Sequence, residues 1–123
     1  SFSMIIFVVG FVFMASLGSF LRFQSVQFLV HPWGTLVANV LGSLLIGFLA
    51  VYLGRYSPQT KTIILVAFLG SLTTFSSYAL EVVTFIEEGL LGKAFLYFSL
   101  SNILCFIACF GGWKIAHKLV ISS

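Results

Sequence analysis

Four apolar stretches alternate with short polar clusters along the chain. Met4 to Leu21 carries no charge, and Arg22 closes it. Phe23 to Val30 reads as a short amphipathic connection. His31-Pro32-Trp33-Gly34-Thr35 then opens a second segment, with Pro32 suited to a first turn and Trp33 to the interfacial belt. Gly54 to Lys61 is a turn cluster around Pro58, flanked by Arg55 and Lys61. A third segment runs from Thr62 to about Ile86, and Glu87-Glu88-Gly89 ends it with a glycine placed for a C-terminal cap. A fourth runs from Lys93 to about His117. A bilayer crossing needs about 20 apolar residues at a rise of about 1.5 Å each. The pattern therefore predicts four transmembrane helices, at about 4–22, 33–54, 62–88 and 93–118. Residues 1–123 form one all-α, four-helix integral membrane domain in this reading.

The third segment conflicts with itself. It is apolar enough to cross, yet Gly70 is costly inside a helix, and Ser71, Thr73 and Thr74 compete for backbone hydrogen bonds. A helix broken near Gly70–Thr74 would release carbonyl oxygens and hydroxyls that could hold an ion. Such a break survives in hydrocarbon only if protein or a watery cavity surrounds it. The other reading is an unbroken helix using small residues for tight packing.

Faces at helical spacing carry the remaining polar residues. Gly10, Met14, Gly18 and Arg22 share one face of the first segment, with Gly18 allowing a close neighbour. Arg22 reads either as a snorkelling anchor or as a cation at a pore mouth. Thr35, Asn39, Gly42/Ser43 and Ile46/Gly47 share a face of the second, and Ala38-xxx-Gly42 and Ser43-xxx-Gly47 are close-packing pairs. Asn39 must be paired in mid-span, either by an interhelical hydrogen bond or as an N–H donor to an anion path. Tyr97, Ser101, Cys105 and Cys109 form a stripe on the fourth segment with Asn102 beside it, and that stripe should face protein. Glu81 lies deeper than Glu87 and Glu88 and is the candidate for a vestibule role. His31 reads as a solvated interfacial residue without partners.

Composition sharpens the class. Of 123 residues 60% are hydrophobic and only 7% charged, with a mean hydropathy of +1.17, whereas soluble domains carry roughly 25% charged residues. A net charge of +3 is too small to argue for nucleic acid. Cys105 and Cys109, one helical turn apart, fit neither a disulfide framework nor a metal site and read as packing residues. A cleaved leader is disfavoured because no basic region precedes the first apolar run. Ser1-Phe2-Ser3 is either a start lacking its Met or a remnant of something added. Arg55, Lys61, Lys114 and Lys118 fall on the side of the termini and Arg22 and Lys93 on the other, a weak bias that allows insertion in both orientations. Four short helices enclose little interior, so a dimer is expected. No catalytic constellation and no phosphate loop is present in the pattern, and catalysis is unsupported.

Gly70-Ser71-Leu72-Thr73-Thr74-Phe75-Ser76-Ser77-Tyr78, followed by Glu81, resembles the signature of the Fluc (CrcB) fluoride channel family. Gly34-Thr35-Leu36-Val37-Ala38-Asn39-Val40-Leu41-Gly42-Ser43 is similar to its second conserved stretch. Gly18 and Arg22 match the end of its first helix, and Tyr97 and Ser101 its fourth-helix polar track. The resemblance covers essentially the whole chain. It implies a dual-topology antiparallel homodimer in a cell membrane, with two fluoride pores and a central Na+ held by the carbonyls of Gly70 and Thr73. It places Asn39, Phe75, Tyr78, Tyr97, Ser101 and Thr74 along the fluoride path, with Arg22 and Glu81 toward the vestibule. Partners on this reading are fluoride, membrane lipid and a second copy or an oppositely oriented paralogue. The chain departs from the family pattern at Ser71, where glycine is usual, at Tyr78, where phenylalanine is usual, at Ala79, where serine is usual, and at Cys105, a hydroxyl position.

Physically, a pore must replace the water around fluoride. A ring edge carries partial positive charge, so Phe75 can face an anion without a buried cation, and weak multi-site contacts let the ion leave. Asn39 and Ser101 can donate between the aromatics, and Tyr78 adds an O–H. Two other readings remain: a small dual-topology multidrug exporter, which needs an embedded carboxylate, and a non-transporting assembly subunit, supported by the close-packing faces alone.

Overall fold

The structure is a computed structural model and describes residues 2–122. Ser1, on which the choice of reading for the N-terminal tripeptide turns, lies outside the described residues. The described residues include four helical spans long and apolar enough to cross a membrane: Ser3–Phe28, Trp33–Tyr52, Pro58–Glu87 and Leu91–Ile121. The chain is a multi-pass, all-helical membrane protein.

α1 (Phe2–Phe28) is longer than the pattern predicts. The expected amphipathic connection after Arg22 is helix through Phe28, because nothing from Phe23 to Phe28 breaks a ladder. The chain turns only on approaching Pro32, whose ring disfavours helix in the preceding residue. Ser25 Oγ, still on α1, donates to the Gly34 carbonyl at 2.8 Å and ties the turn together. α2 (Trp33–Tyr52) matches its prediction closely.

The third span is assembled from pieces. α3 (Pro58–Lys61) starts earlier than expected, since Ser57 caps it by accepting from the Thr60 N–H at 3.2 Å and Pro58 fills the first turn. A π-helical stretch, Thr62–Leu69, follows, then the short α4 (Gly70–Leu72). The backbone next goes extended at Thr73 (φ −91°, ψ 157°) and Thr74 (φ −150°, ψ 122°) before α5 (Phe75–Glu87). The predicted break is real, and the unbroken alternative is excluded. It is narrower than expected, for Gly70 itself stays helical (φ −62°, ψ −31°). Gly89 adopts a positive φ of 79° after α5, as the capping pattern predicts. α6 (Leu91–Ser122) extends beyond both expected ends.

Glycines set how closely these helices approach. On α1, a Cβ at Gly18 would collide with the Phe68 carbonyl oxygen and lie 3.0 Å from the Leu72 N. α2 and α6 meet backbone to backbone, with Gly47 against the Cys109 carbonyl and Gly112 against the Leu44 carbonyl. Gly18 and Gly47 on the predicted faces of α1 and α2 therefore serve close packing. A buried cluster of Leu36, Tyr78, Phe85, Ala94 and Tyr97 joins α2, α5 and α6. The large apolar side chains left exposed, such as Phe13 on α1 and Ile107 on α6, suit lipid rather than water.

Gly47→Val is expected to push α2 and α6 apart and to destabilise the fold by about 1–3 kcal/mol, the usual cost of overpacking. Gly92→Ala, where a Cβ meets open space inside α6, should not lower the melting temperature of the detergent-solubilised protein. Thermal unfolding of the two variants side by side checks this.

Candidate functional site

Two extended residues inside a membrane helix leave backbone groups without their usual partners, and side chains answer several of them. The Thr74 N–H donates to Asn39 Oδ1 at 2.7 Å, and Asn39 Nδ2 donates back to the Thr74 carbonyl at 3.0 Å. The Asn39 side chain thus pairs with both backbone groups of Thr74, whose N–H has lost its helical partner. The Ser77 N–H turns to Thr74 Oγ1 at 3.1 Å, so Thr74 caps α5. Thr73 Oγ1 donates to the Leu69 carbonyl at 3.1 Å, and its methyl group fills the space that a Cβ at Gly42 would need. Arg22 Nε donates to the Ser71 carbonyl at 3.1 Å. Arg22 is therefore tied to the end of α4 and does not hang free at the interface.

Two carbonyls are released by these substitutions. The Thr74 N–H would have bonded the carbonyl of Gly70, and the Ser77 N–H that of Thr73. Both donors are committed elsewhere. Gly70 is also exposed.

Beside the break lies an open cavity of about 290 Å³ between α2, α4, α5 and α6. Asn39, Gly70, Thr73, Thr74, Phe75, Tyr78 and Ser101 line it, together with Asn102 and Cys105. Phe75 is 77% exposed, and its ring meets Tyr78 edge to face, with centroids 5.5 Å apart and planes at 68°. Ser101 Oγ is buried and has no hydrogen-bond partner among the described residues. The second N–H of the Asn39 amide remains available, since an amide carries two donors and the Thr74 carbonyl takes one. The cavity thus combines ring edges and an amide N–H, with the buried Ser101 in its wall and no charged side chain among its lining residues.

Tyr97 and Glu81 form a separate cluster. The Glu81 carboxylate is buried and accepts from Thr35 Oγ1 at 2.9 Å and from Tyr97 Oη at 2.7 Å. His31 Nε2 lies 3.5 Å from Glu81 Oε2, and the His31 ring packs edge-on against Phe85. The expectation of a solvated His31 without partners is corrected here: the residue is exposed but engaged, because the long α1 brings the following turn over the end of α5. Glu81 is enclosed by hydroxyl donors. Tyr97 turns its hydroxyl toward Glu81 and is absent from the cavity lining. Thr35 shares the polar face read from the sequence, but its carboxylate partner lies 46 residues away, a pairing that spacing along one helix does not reveal. Cys105 and Cys109 carry free, half-buried thiols, and Cys105 lines the cavity.

Residues 8–113 match the family described as CrcB-like protein, camphor resistance (CrcB). The chain belongs to that family. This CrcB-like chain is 40% identical over 120 residues to the "Fluoride-specific ion channel FluC" of a Nitratiruptor species, covering 94% of each chain. It is 38% identical over 109 residues to the protein of the same name from a Sulfurovum species, covering 83% of this chain and 86% of that one. The counterpart from Shewanella frigidimarina is 37% identical over 115 residues, covering 85% of this chain and 91% of that one.

Asn39→Leu is expected to destabilise the CrcB-like chain by about 1–3 kcal/mol for the Thr74 N–H left unpaired in the membrane. Asn39→Asp keeps the acceptor for the Thr74 N–H and should melt between wild type and Asn39→Leu. Thermal unfolding in detergent checks the order.

Proposed function

We propose that the chain is a fluoride-selective channel that lets F− leave the cytoplasm passively and so relieves fluoride toxicity. The observation that carries this reading is the cavity beside the Thr73–Thr74 break, with its ring edges and unpaired donors and no lining charge. The names of the relatives support the ion. Fluoride gives up its water reluctantly, and the exposed Phe75 edge, the second Asn39 N–H and the Ser101 hydroxyl are the groups here that can replace it. Each is weak enough singly to let the ion move on. The positive, N-terminal end of α5 adds a dipole favourable to an anion.

Tyr97, Glu81 and Arg22 belong in this reading to the approaches. The Thr35 and Tyr97 hydroxyls hold Glu81, so that an entering anion does not meet a bare carboxylate. Arg22 brings a cation to the carbonyl end of α4.

The carbonyls of Gly70 and Thr73, deprived of their N–H donors, fit Na+, since hard cations take oxygen ligands and unwound membrane helices supply them from the backbone. Na+ held there would supply a fixed positive charge beside the anion path. The cavity is open on the single chain, and Phe75 is exposed there. A second copy in antiparallel orientation, or an oppositely oriented paralogue, would close it and double the path. A multidrug exporter would need a carboxylate free to exchange a substrate for a proton, and Glu81 is already engaged.

Liposomes containing the purified chain should release fluoride, read by a fluoride electrode, and retain chloride. Phe75→Ile should abolish fluoride efflux while the protein still assembles and melts normally. Failure of the wild type to pass fluoride would overturn the channel reading. Full efflux by Phe75→Ile would remove Phe75 from the path.

A further inference from the structure

Tyr78 presents a difficulty that the break does not explain. Its ring is buried at the cavity wall, yet it carries an O–H, and a loose phenol beside an anion path would donate to any halide. The structure shows that hydroxyl directed away. Asn102 Nδ2 donates to Tyr78 Oη at 2.8 Å and, with its other N–H, to the Phe98 carbonyl at 2.8 Å. The Tyr78 hydroxyl itself points to the same Phe98 carbonyl at 3.4 Å. The orientation of the amide is fixed by its partner, because Asn102 Oδ1 placed against a carbonyl would be repelled. Both amide donors are consumed, so Asn102 lines the cavity without offering an N–H to it. Tyr97 and Phe98 flank the ring, with centroids 5.5 and 6.4 Å away, and Phe75 meets it on the cavity side.

We propose that Asn102 is a positioning residue for the anion path: it latches the Tyr78 hydroxyl to α6, so that an ion in the cavity meets only the ring edge of Tyr78. This rests on the channel reading above. Asn102 does not touch the ion. It holds the phenol oxygen against α6, beside the Phe98 carbonyl to which the O–H points, and so fixes the edge-to-face pair with Phe75. The latch is needed only because residue 78 carries a hydroxyl. Its effect must therefore vanish when the hydroxyl is removed.

A double-mutant cycle tests this. Asn102→Leu is expected to reduce fluoride efflux from liposomes about tenfold, or to cut the fluoride-over-chloride ratio by a similar factor. Tyr78→Phe keeps the packed ring and removes the hydroxyl, and its own efflux and selectivity are the reference for the second half of the cycle. In the Tyr78→Phe background, Asn102→Leu should cost little further. A loss that persists undiminished in that background would overturn the proposal, as would unchanged flux and selectivity in Asn102→Leu.

A second readout needs no transport. In protein labelled with 3-fluorotyrosine, the fluorine resonance of Tyr78, assigned as the one lost in Tyr78→Phe, should show slow ring exchange in wild type. Asn102→Leu should make that exchange fast without altering the other tyrosine signals. A Tyr78 signal indifferent to Asn102→Leu would refute the latch. A wild-type chain that passes no fluoride would instead refute the channel reading, and this is seen before any variant is compared.

Discussion

The two-point clasp between Asn39 and Thr74 is the contact on which the rest of the molecule depends. In water a broken helix is repaired by solvent. In hydrocarbon each exposed N–H or carbonyl costs several kcal/mol, so the break exists only because an amide from another helix stands in for the missing peptide partners. That requirement fixes more than one residue. α2 must come close enough for Asn39 to reach, and glycine at position 42 makes room for the Thr73 methyl group. α1 must lie against the first half of the third span, where Gly18 permits contact with the Phe68 backbone and Arg22 takes the Ser71 carbonyl. What is left after these pairings is a small surplus of carbonyls on one side of the break and donors on the other. That surplus is what a channel can use.

The polar residues of α6 divide by direction, although they lie close together in sequence. Tyr97 reaches to the Glu81 carboxylate, Ser101 sits at the cavity wall, and Asn102 holds Tyr78. One helix thus serves a buried carboxylate, a cavity and an aromatic wall within two turns. Each arrangement follows the rule that a polar group in a membrane is paired or lines a cavity. Glu81 illustrates the first case, with Thr35 and Tyr97 donating from two different helices. Asn39 illustrates both, clasping Thr74 while it lines the cavity.

Much of the fold is legible in the order of residues alone. The membrane class, the number of spans and the interruption in the third follow from apolar runs and from small hydroxyl residues placed where a helix is poor. The extent of α1 is not, because Phe23 to Phe28 is too polar for the hydrocarbon core but fully able to be helix. The π-helical stretch before the break is also invisible, for Thr62 to Leu69 holds no residue that selects a wider turn. Of the residues singled out as candidates, Asn39, Thr74, Phe75, Tyr78 and Ser101 gather at one cavity with Gly70 and Thr73, whereas Tyr97, Glu81 and Arg22 stand outside its lining. Asn102 stands out in the sequence only as a neighbour of the stripe on its helix.

By itself the sequence determined that the chain lives in a bilayer, crosses it four times and has a third helix poorly suited to stay whole at Gly70–Thr74. Those are local matters of hydropathy, length and backbone competition. The tertiary structure alone decided which backbone groups the break frees and which side chains answer them. Asn39 and Thr74 are 35 residues apart, Arg22 and Ser71 49, and Thr35 and Glu81 46. Pairing over such separations depends on how glycine faces let the helices approach, and that is a property of the packed bundle rather than of any one segment.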